Sequence, residues 1–249
     1  MTARQTRWLR FSSPPHFYDL AGRLVPGFAI LAMLFFVAGL YTGLIHAPPD
    51  YRQGESYRIL FIHVPAAWMS MFLYVLMAGY AAIGLVWRIK TAEVMAKAMA
   101  PTGALFTFLA LWTGALWGRP TWGAYWVWDA RLTSELILLF LYLGFIALHA
   151  AIEDRQRAAN AGAVLALAGV VNVPVIYFSV TWWNTLHQGA TIRVTSAPSM
   201  DAVMVVALVL MTLACWMYAI AVVLWRARLE LMEREWRSEW VAQRLGGGV

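Results

Sequence analysis

The sequence is poor in charge and almost without cysteine. Of its 249 residues only 13% are charged while 61% are hydrophobic, and the mean hydropathy is +0.63. Soluble domains carry about 25% charged and roughly 45–50% apolar residues, so a soluble enzyme or binding domain is excluded. The single cysteine, Cys215, rules out a disulfide within the chain and any CxxC or zinc pattern. No HExxH and no carboxylate cluster is present, and no metal other than iron is suggested. Alternating ten-residue β segments are also missing, which leaves helices as the way to satisfy backbone groups in lipid. A cleavable leader is not expected. The apolar run after the basic N-terminus exceeds the about 7–15 residues of a signal peptide, and no small-x-small site closes it. No internal repeat and no low-complexity linker interrupts the chain.

What is abundant is long apolar runs. About 20 residues at 1.5 Å each cross a hydrocarbon core of about 30 Å. Six runs qualify: Leu24–Ile45, Leu60–Trp87, Met99–Leu116, Leu132–Ala151, Gly162–Trp182 and Ala202–Trp225. The expected fold is therefore an all-α integral membrane protein, a single six-helix bundle over residues 1–249. The net charge of +6 follows from orientation rather than from a nucleic-acid partner. Fourteen of the nineteen lysines and arginines fall in the N-terminus, the 88–98 and 152–161 connections and the C-terminal tail. This bias predicts both termini in the cytoplasm, with the 46–59, 117–131 and 183–201 connections outside. In the charged tail, 226–249, Leu229, Met232, Trp236 and Trp240 recur at helical spacing. That pattern fits an amphipathic helix on the bilayer or against a partner, or equally a solvated continuation of the last span.

The outer connection WGRPTWGAYWVWDARLT, Trp117–Thr133, concentrates Trp117, Trp122, Trp126 and Trp128 just ahead of Asp129 and Arg131. Isolated tryptophans such as Trp87 and Trp225 read as interfacial belt. A belt explains the depth of this connection but not its density, nor Gly118 and Gly123 among the rings. Glycine permits a sharp turn or a close approach to a ligand. Were residues 121–129 a short helix, Trp122, Tyr125, Trp126 and Asp129 would share one face, a shelf for a flat ligand. Arg119, Arg131 and Arg193 could pair with carboxylates at the edge of such a ligand. Asp129 fits an N-cap of the fourth helix as well as a functional role. Glu135 reads as structural, and Asn172 with Pro174 as a polar kink.

Five histidines are sorted by topology. His16 and His149 fall on the cytoplasmic side, and His46 reads as a helix end. His63, in FIHVPAAW, and His187, in WWNTLHQG, flank the aromatic connection on the outer side. Neutral imidazole is a common iron ligand, although a lone interfacial histidine is more often only a polar tip.

WGRPTWGAYWVWDARLTSELILLFLYLG resembles the tryptophan-rich "WWD" signature of haem-handling proteins. With FIHVP, WWNTLHQG and six spans, nearly the whole chain is similar to the cytochrome c maturation family CcmC, haem exporter protein C. That resemblance implies haem b held outside the inner membrane of a bacterium by the aromatic connection, with His63 and His187 as the iron's axial ligands. It implies Trp117, Trp122, Tyr125, Trp126, Trp128, Asp129, Arg119, Arg131 and Arg193 around the macrocycle. It further implies delivery to the periplasmic chaperone CcmE, and association with the ABC-type complex CcmA–CcmB and with CcmD. Many members read Trp-Trp-x-Trp-Asp where this chain has Tyr125-Trp126-Val127-Trp128-Asp129. Tyrosine keeps an aromatic face. No acid–base machinery of an enzyme is expected. The rival readings are a haem-moving permease subunit, a b-type electron carrier and a scaffold without haem.

Overall fold

A computed structural model describes residues 13–187 and 199–246. Among them no β-strand forms, and six helical segments are long and apolar enough to cross a membrane. We number the helices in chain order as α1 (Pro14–Tyr41), α2 (Leu60–Trp87), α3 (Lys90–Trp122), α4 (Ala130–Ala151), α5 (Arg155–Gly169), α6 (Asn172–Trp182), α7 (Ala202–Arg234) and α8 (Glu239–Arg244). The helices run past the apolar stretches. An apolar run marks the part in hydrocarbon, whereas hydrogen bonding continues the helix into the headgroups. Residues 90–98 and 117–122 are accordingly helical, as the two ends of α3.

α2 and α3 form a hairpin at the centre of the bundle, joined through Arg88 and Ile89. α1 packs chiefly on α7, where Gly39 lies against the Met211 side chain, and it is the least buried span. The core between α2, α3 and α4 is filled by Tyr74, Met77, Leu138, Tyr142 and Phe145. The Tyr142 hydroxyl donates to the Ser70 carbonyl at 2.8 Å, so its polar tip is satisfied at depth.

The fifth span is broken at Val170–Val171 into α5 and α6. Pro174 explains the break. It has no N–H to give, and its ring crowds the carbonyl of Val170, four residues back. Asn172 fills the gap by donating through Nδ2 to the Ser134 carbonyl of α4 at 2.8 Å. The polar kink read from the sequence thus ties α6 to α4.

The last span continues as one helix to Arg234, and the tail folds across the end of the bundle where α1 begins. Ion pairs hold it there: Lys97–Glu230 at 2.6 Å, Lys90–Glu235 at 3.2 Å and Arg244–Asp19 at 2.5 Å. Trp240 packs on Tyr18 and donates through Nε1 to Glu235 at 2.7 Å. The most enclosed pair is Arg234–Glu93 at 2.7 Å, with Gln156 also donating to Glu93 at 3.0 Å. Tail helicity therefore packs the chain against its own helix ends.

Removing one partner of an enclosed ion pair leaves the other charge without compensation. Arg234→Ala is expected to lower stability by about 3 kcal/mol. The double change Glu93→Gln with Arg234→Met is expected to recover most of it. Thermal unfolding in detergent measures both.

Candidate functional site

The site lies where α2, α3 and α4 meet the aromatic connection and the chain after α6. A cavity of about 30 Å³ sits there, and His63, Trp122, Arg131, Glu135 and His187 line it with Gly114. Each helix contributes from one face. On α2, His63, Ala67 and Ser70 follow helical spacing, as do Ala110, Thr113, Gly114 and Trp117 on α3.

His63 is buried near the start of α2. Its Nδ1 lies 3.1 Å from the Thr113 hydroxyl oxygen. That hydroxyl gives its own proton to the Leu109 carbonyl. A hydroxyl has one proton to donate, so towards His63 it accepts, and Nδ1 carries the hydrogen. Nε2 is then left with its lone pair. The Trp117 ring packs edge-on against His63 at 5.6 Å, and Gln53 of the first outer connection fixes Trp117 by accepting from Nε1 at 2.7 Å.

His187 lies five residues beyond the end of α6. Its ring centroid is 6.0 Å from that of His63, with the planes 75° apart. Two imidazoles on one metal, each with nitrogen about 2 Å from it, place their centroids roughly 6 Å apart. The spacing therefore fits a pair of axial ligands. Its Nδ1 is buried and has no partner among the described residues. Burial pushes the imidazole's pKa down to about 4, and the Arg131 charge adds to the effect. A neutral imidazole at neutral pH is the form that binds iron.

The aromatic connection is not the short helix that residues 121–129 could have formed. α3 carries Trp117, Arg119 and Trp122, and residues 124–129 run without helix to α4. Gly123 ends α3 with φ +80°, a left-handed conformation that favours glycine. Gly118 admits the returning chain, since a Cβ there would stand 3.0 Å from the Ala124 carbonyl oxygen. Both glycines thus serve the turn. Trp122 reaches inward and its ring lies 5.3 Å from His187. Tyr125 and Trp128 are exposed, and Trp126 meets Trp128 edge-on at 5.3 Å. Trp126 Nε1 and Asp129 Oδ2 are buried polar atoms without a partner among the described residues.

The arginines part company. Arg119 folds back to the Gly123 carbonyl and lies over the Tyr125 ring, away from the cavity. Arg131 lines the cavity and gives one N–H to the Ile176 carbonyl of α6 at 3.0 Å. Arg193 lies outside the described residues. Asp129 caps α4 by accepting from the Leu132 backbone N–H at 2.8 Å, so the capping half of its reading is formed. Its second oxygen is left over.

Sequence reasoning missed Thr113, Gly114 and Gln53, and it read Glu135 as structural. Glu135 is buried on the cavity wall, and its carboxyl lies 2.7 Å from the Ser70 hydroxyl. Buried ionisable groups at membrane depth mark functional sites. Helical spacing from Trp117 back to Thr113 was the available signal for the α3 face. The other histidines stand apart: His16 and His46 are exposed, and His149 faces the Phe145 carbonyl at 3.0 Å. Among the described residues no group of three or more His, Cys, Asp or Glu could hold a metal.

Residues 7–242 match the family model described as heme exporter protein C, CcmC. Curated proteins named heme exporter protein C are similar to the chain, three of them as follows. That of Haemophilus influenzae is 48% identical over 241 residues, covering 94% of this chain and 96% of the relative. The Escherichia coli K12 protein is 56% identical over 178 residues, covering 72% and 73%. That of Bradyrhizobium diazoefficiens is 48% identical over 227 residues, covering 91% and 86%.

Two outcomes follow from the local geometry. Asp129→Ala is expected to cost about 1 kcal/mol of stability through the lost cap, and Asp129→Asn much less; thermal unfolding separates them. In the unfolded chain His187 protonates near 6.5, but in the fold only near 4. Stability from this group is thus complete above about pH 6.5 and falls as pH drops towards 4. His187→Gln is expected to flatten that part of a stability–pH curve.

Proposed function

The chain belongs to the CcmC family, haem exporter protein C, and from that premise we propose how it handles its cargo. Its role is haem handling and delivery in cytochrome c maturation. The proposal is that haem b is held at the outer face of the inner membrane, with iron between His63 and His187. The 6.0 Å apposition of the two imidazoles beside the aromatic connection carries this reading. The partnerless Nδ1 of His187 and the unbonded Trp126 Nε1 and Asp129 Oδ2 add to it, since a bound molecule and its waters can satisfy them.

Trp122, Tyr125, Trp126 and Trp128 give the macrocycle apolar contact at low conformational cost. Trp117 acts one step removed, through its contact with His63. Arg131 faces the propionates from the cavity, and Arg193, outside the described residues, is the second cation the sequence offers for them. Arg119 serves the turn and the Tyr125 ring rather than the cargo. A cavity of about 30 Å³ is far below the about 300–1,000 Å³ of ligand sites. Loading therefore requires the side chains that line the cavity, Trp122 among them, to make room. The iron chemistry belongs to haem; the protein supplies orientation and electrostatics.

An accessible edge of the porphyrin is then presented to CcmE, with CcmA, CcmB and CcmD acting on the loaded complex. Both termini lie in the cytoplasm in this reading, as the lysine and arginine bias supports.

Protein purified from haem-sufficient cells is expected to show a six-coordinate Soret band. His63→Ala and His187→Ala are each expected to weaken it and to block chaperone loading. Normal haem content and loading in both would overturn the ligand assignment. Joint replacement of Trp122, Trp126 and Trp128 by leucine is expected to reduce haem retention and leave membrane insertion intact.

A further inference from the structure

The two imidazoles are held very differently. His63 sits on α2, is buried, and has Nδ1 committed to the Thr113 hydroxyl at 3.1 Å. The packing around it is tight. A Cβ on Gly114 would stand 3.0 Å from His63 Cε1, and Trp117, itself anchored by Gln53, closes another side. Thr113 is in turn fixed by its bond to the Leu109 carbonyl within α3. Nitrogen, tautomer and ring plane of His63 are therefore set before any cargo arrives.

His187 has none of these restraints among the described residues. It is carried on irregular chain beyond α6, it is only half-buried, and its Nδ1 is unpartnered. Its ring contacts are Trp122 at 5.3 Å and His63 at 6.0 Å, and Arg131 shares its cavity. Packing against rings does not choose between its two nitrogens.

We propose that the two axial ligands are unequal: Thr113 fixes His63 as the retained ligand, and His187 is the ligand given up when the cargo is exchanged. The inference rests on the reading of His63 and His187 as the iron ligands. A hydrogen bond from the non-ligating nitrogen orients a metal-bound imidazole and raises its basicity, and losing such a partner costs about 10–100-fold in affinity. His63 has that support, and among the described residues the Nδ1 of His187 does not. In the exchange one iron–nitrogen bond breaks and its electron pair stays on His187. An incoming donor then fills the position with its own pair, and no redox partner is required. Thr113 is a positioning residue; it acts through His63.

The test uses the full-length, haem-loaded protein in detergent. Thr113→Val keeps the shape and removes the acceptor, whereas Thr113→Ser keeps the hydroxyl. Haem loss to an excess of a haem-scavenging apoprotein is expected to be about 10–100-fold faster in Thr113→Val and near wild type in Thr113→Ser. The reduction potential is expected to shift in Thr113→Val alone, a change that loosened packing with unchanged ligation would not produce.

Carbon monoxide on the reduced protein tests the second half. It replaces whichever imidazole leaves, so binding to wild type is limited by ligand release. In His187→Gly binding is expected to lose that limit and haem retention to fall only partly, whereas in His63→Gly retention is expected to collapse. Equal retention in the two glycine variants, or a Thr113→Val protein matching wild type in both haem loss and potential, would overturn the inference. A wild-type spectrum lacking two nitrogen axial ligands would instead overturn the ligand reading on which it stands.

Discussion

Inside a bilayer no water is present to satisfy a polar group, so each one must find a partner in the protein. The architecture follows from that constraint. Helices meet the backbone's needs. Where Pro174 prevents the helix from continuing, Asn172 reaches the Ser134 carbonyl, and the break becomes a tie between α6 and α4. Tyr142 bonds the Ser70 carbonyl, and the Ser70 hydroxyl meets Glu135. The same requirement brings His63 to Thr113. The polar groups at depth thus form a short series of cross-links between α2, α3 and α4, and these helices build the site.

Function grows from the end of that series. A histidine fixed from α3 lies with its ring 6.0 Å from that of His187, whose Nδ1 has no partner among the described residues. The aromatic connection adds broad apolar contact and Arg131 adds charge, while Asp129 spends one oxygen on the α4 cap. At the opposite end, charged pairs close the bundle with its own tail. In the proposed reading, the Thr113 contact at His63 and the unpartnered Nδ1 of His187 suit a protein that holds haem and also gives it up.

Much of this was legible in the chain. Apolar length marked the spans, because hydrocarbon thickness sets it. Histidines and tryptophans on one predicted side narrowed the site to a few residues. The glycines of the connection were open between turn and ligand contact. The structure uses both for the turn, since Gly123 has positive φ and Gly118 meets the returning chain. Arg119 and Arg131 were indistinguishable as nearby cations; one proves to cap α3 and the other to face the cavity. Helix ends escaped the reading because the apolar signal stops at the headgroups while backbone hydrogen bonding does not.

By itself the sequence determined the class of protein, six apolar crossings and a charge bias with a predicted orientation, because each depends on composition summed along the chain. Tertiary structure alone decided that His63 and His187 face each other at 6.0 Å across more than a hundred residues. It alone decided that Thr113 fixes one of them, that Trp122 closes on the other and that Glu135 joins the cavity. Each of these is a contact between different elements. Periodicity gives the face a residue shares on its own helix, but which helix lies opposite, and at what height, is set only when the bundle packs.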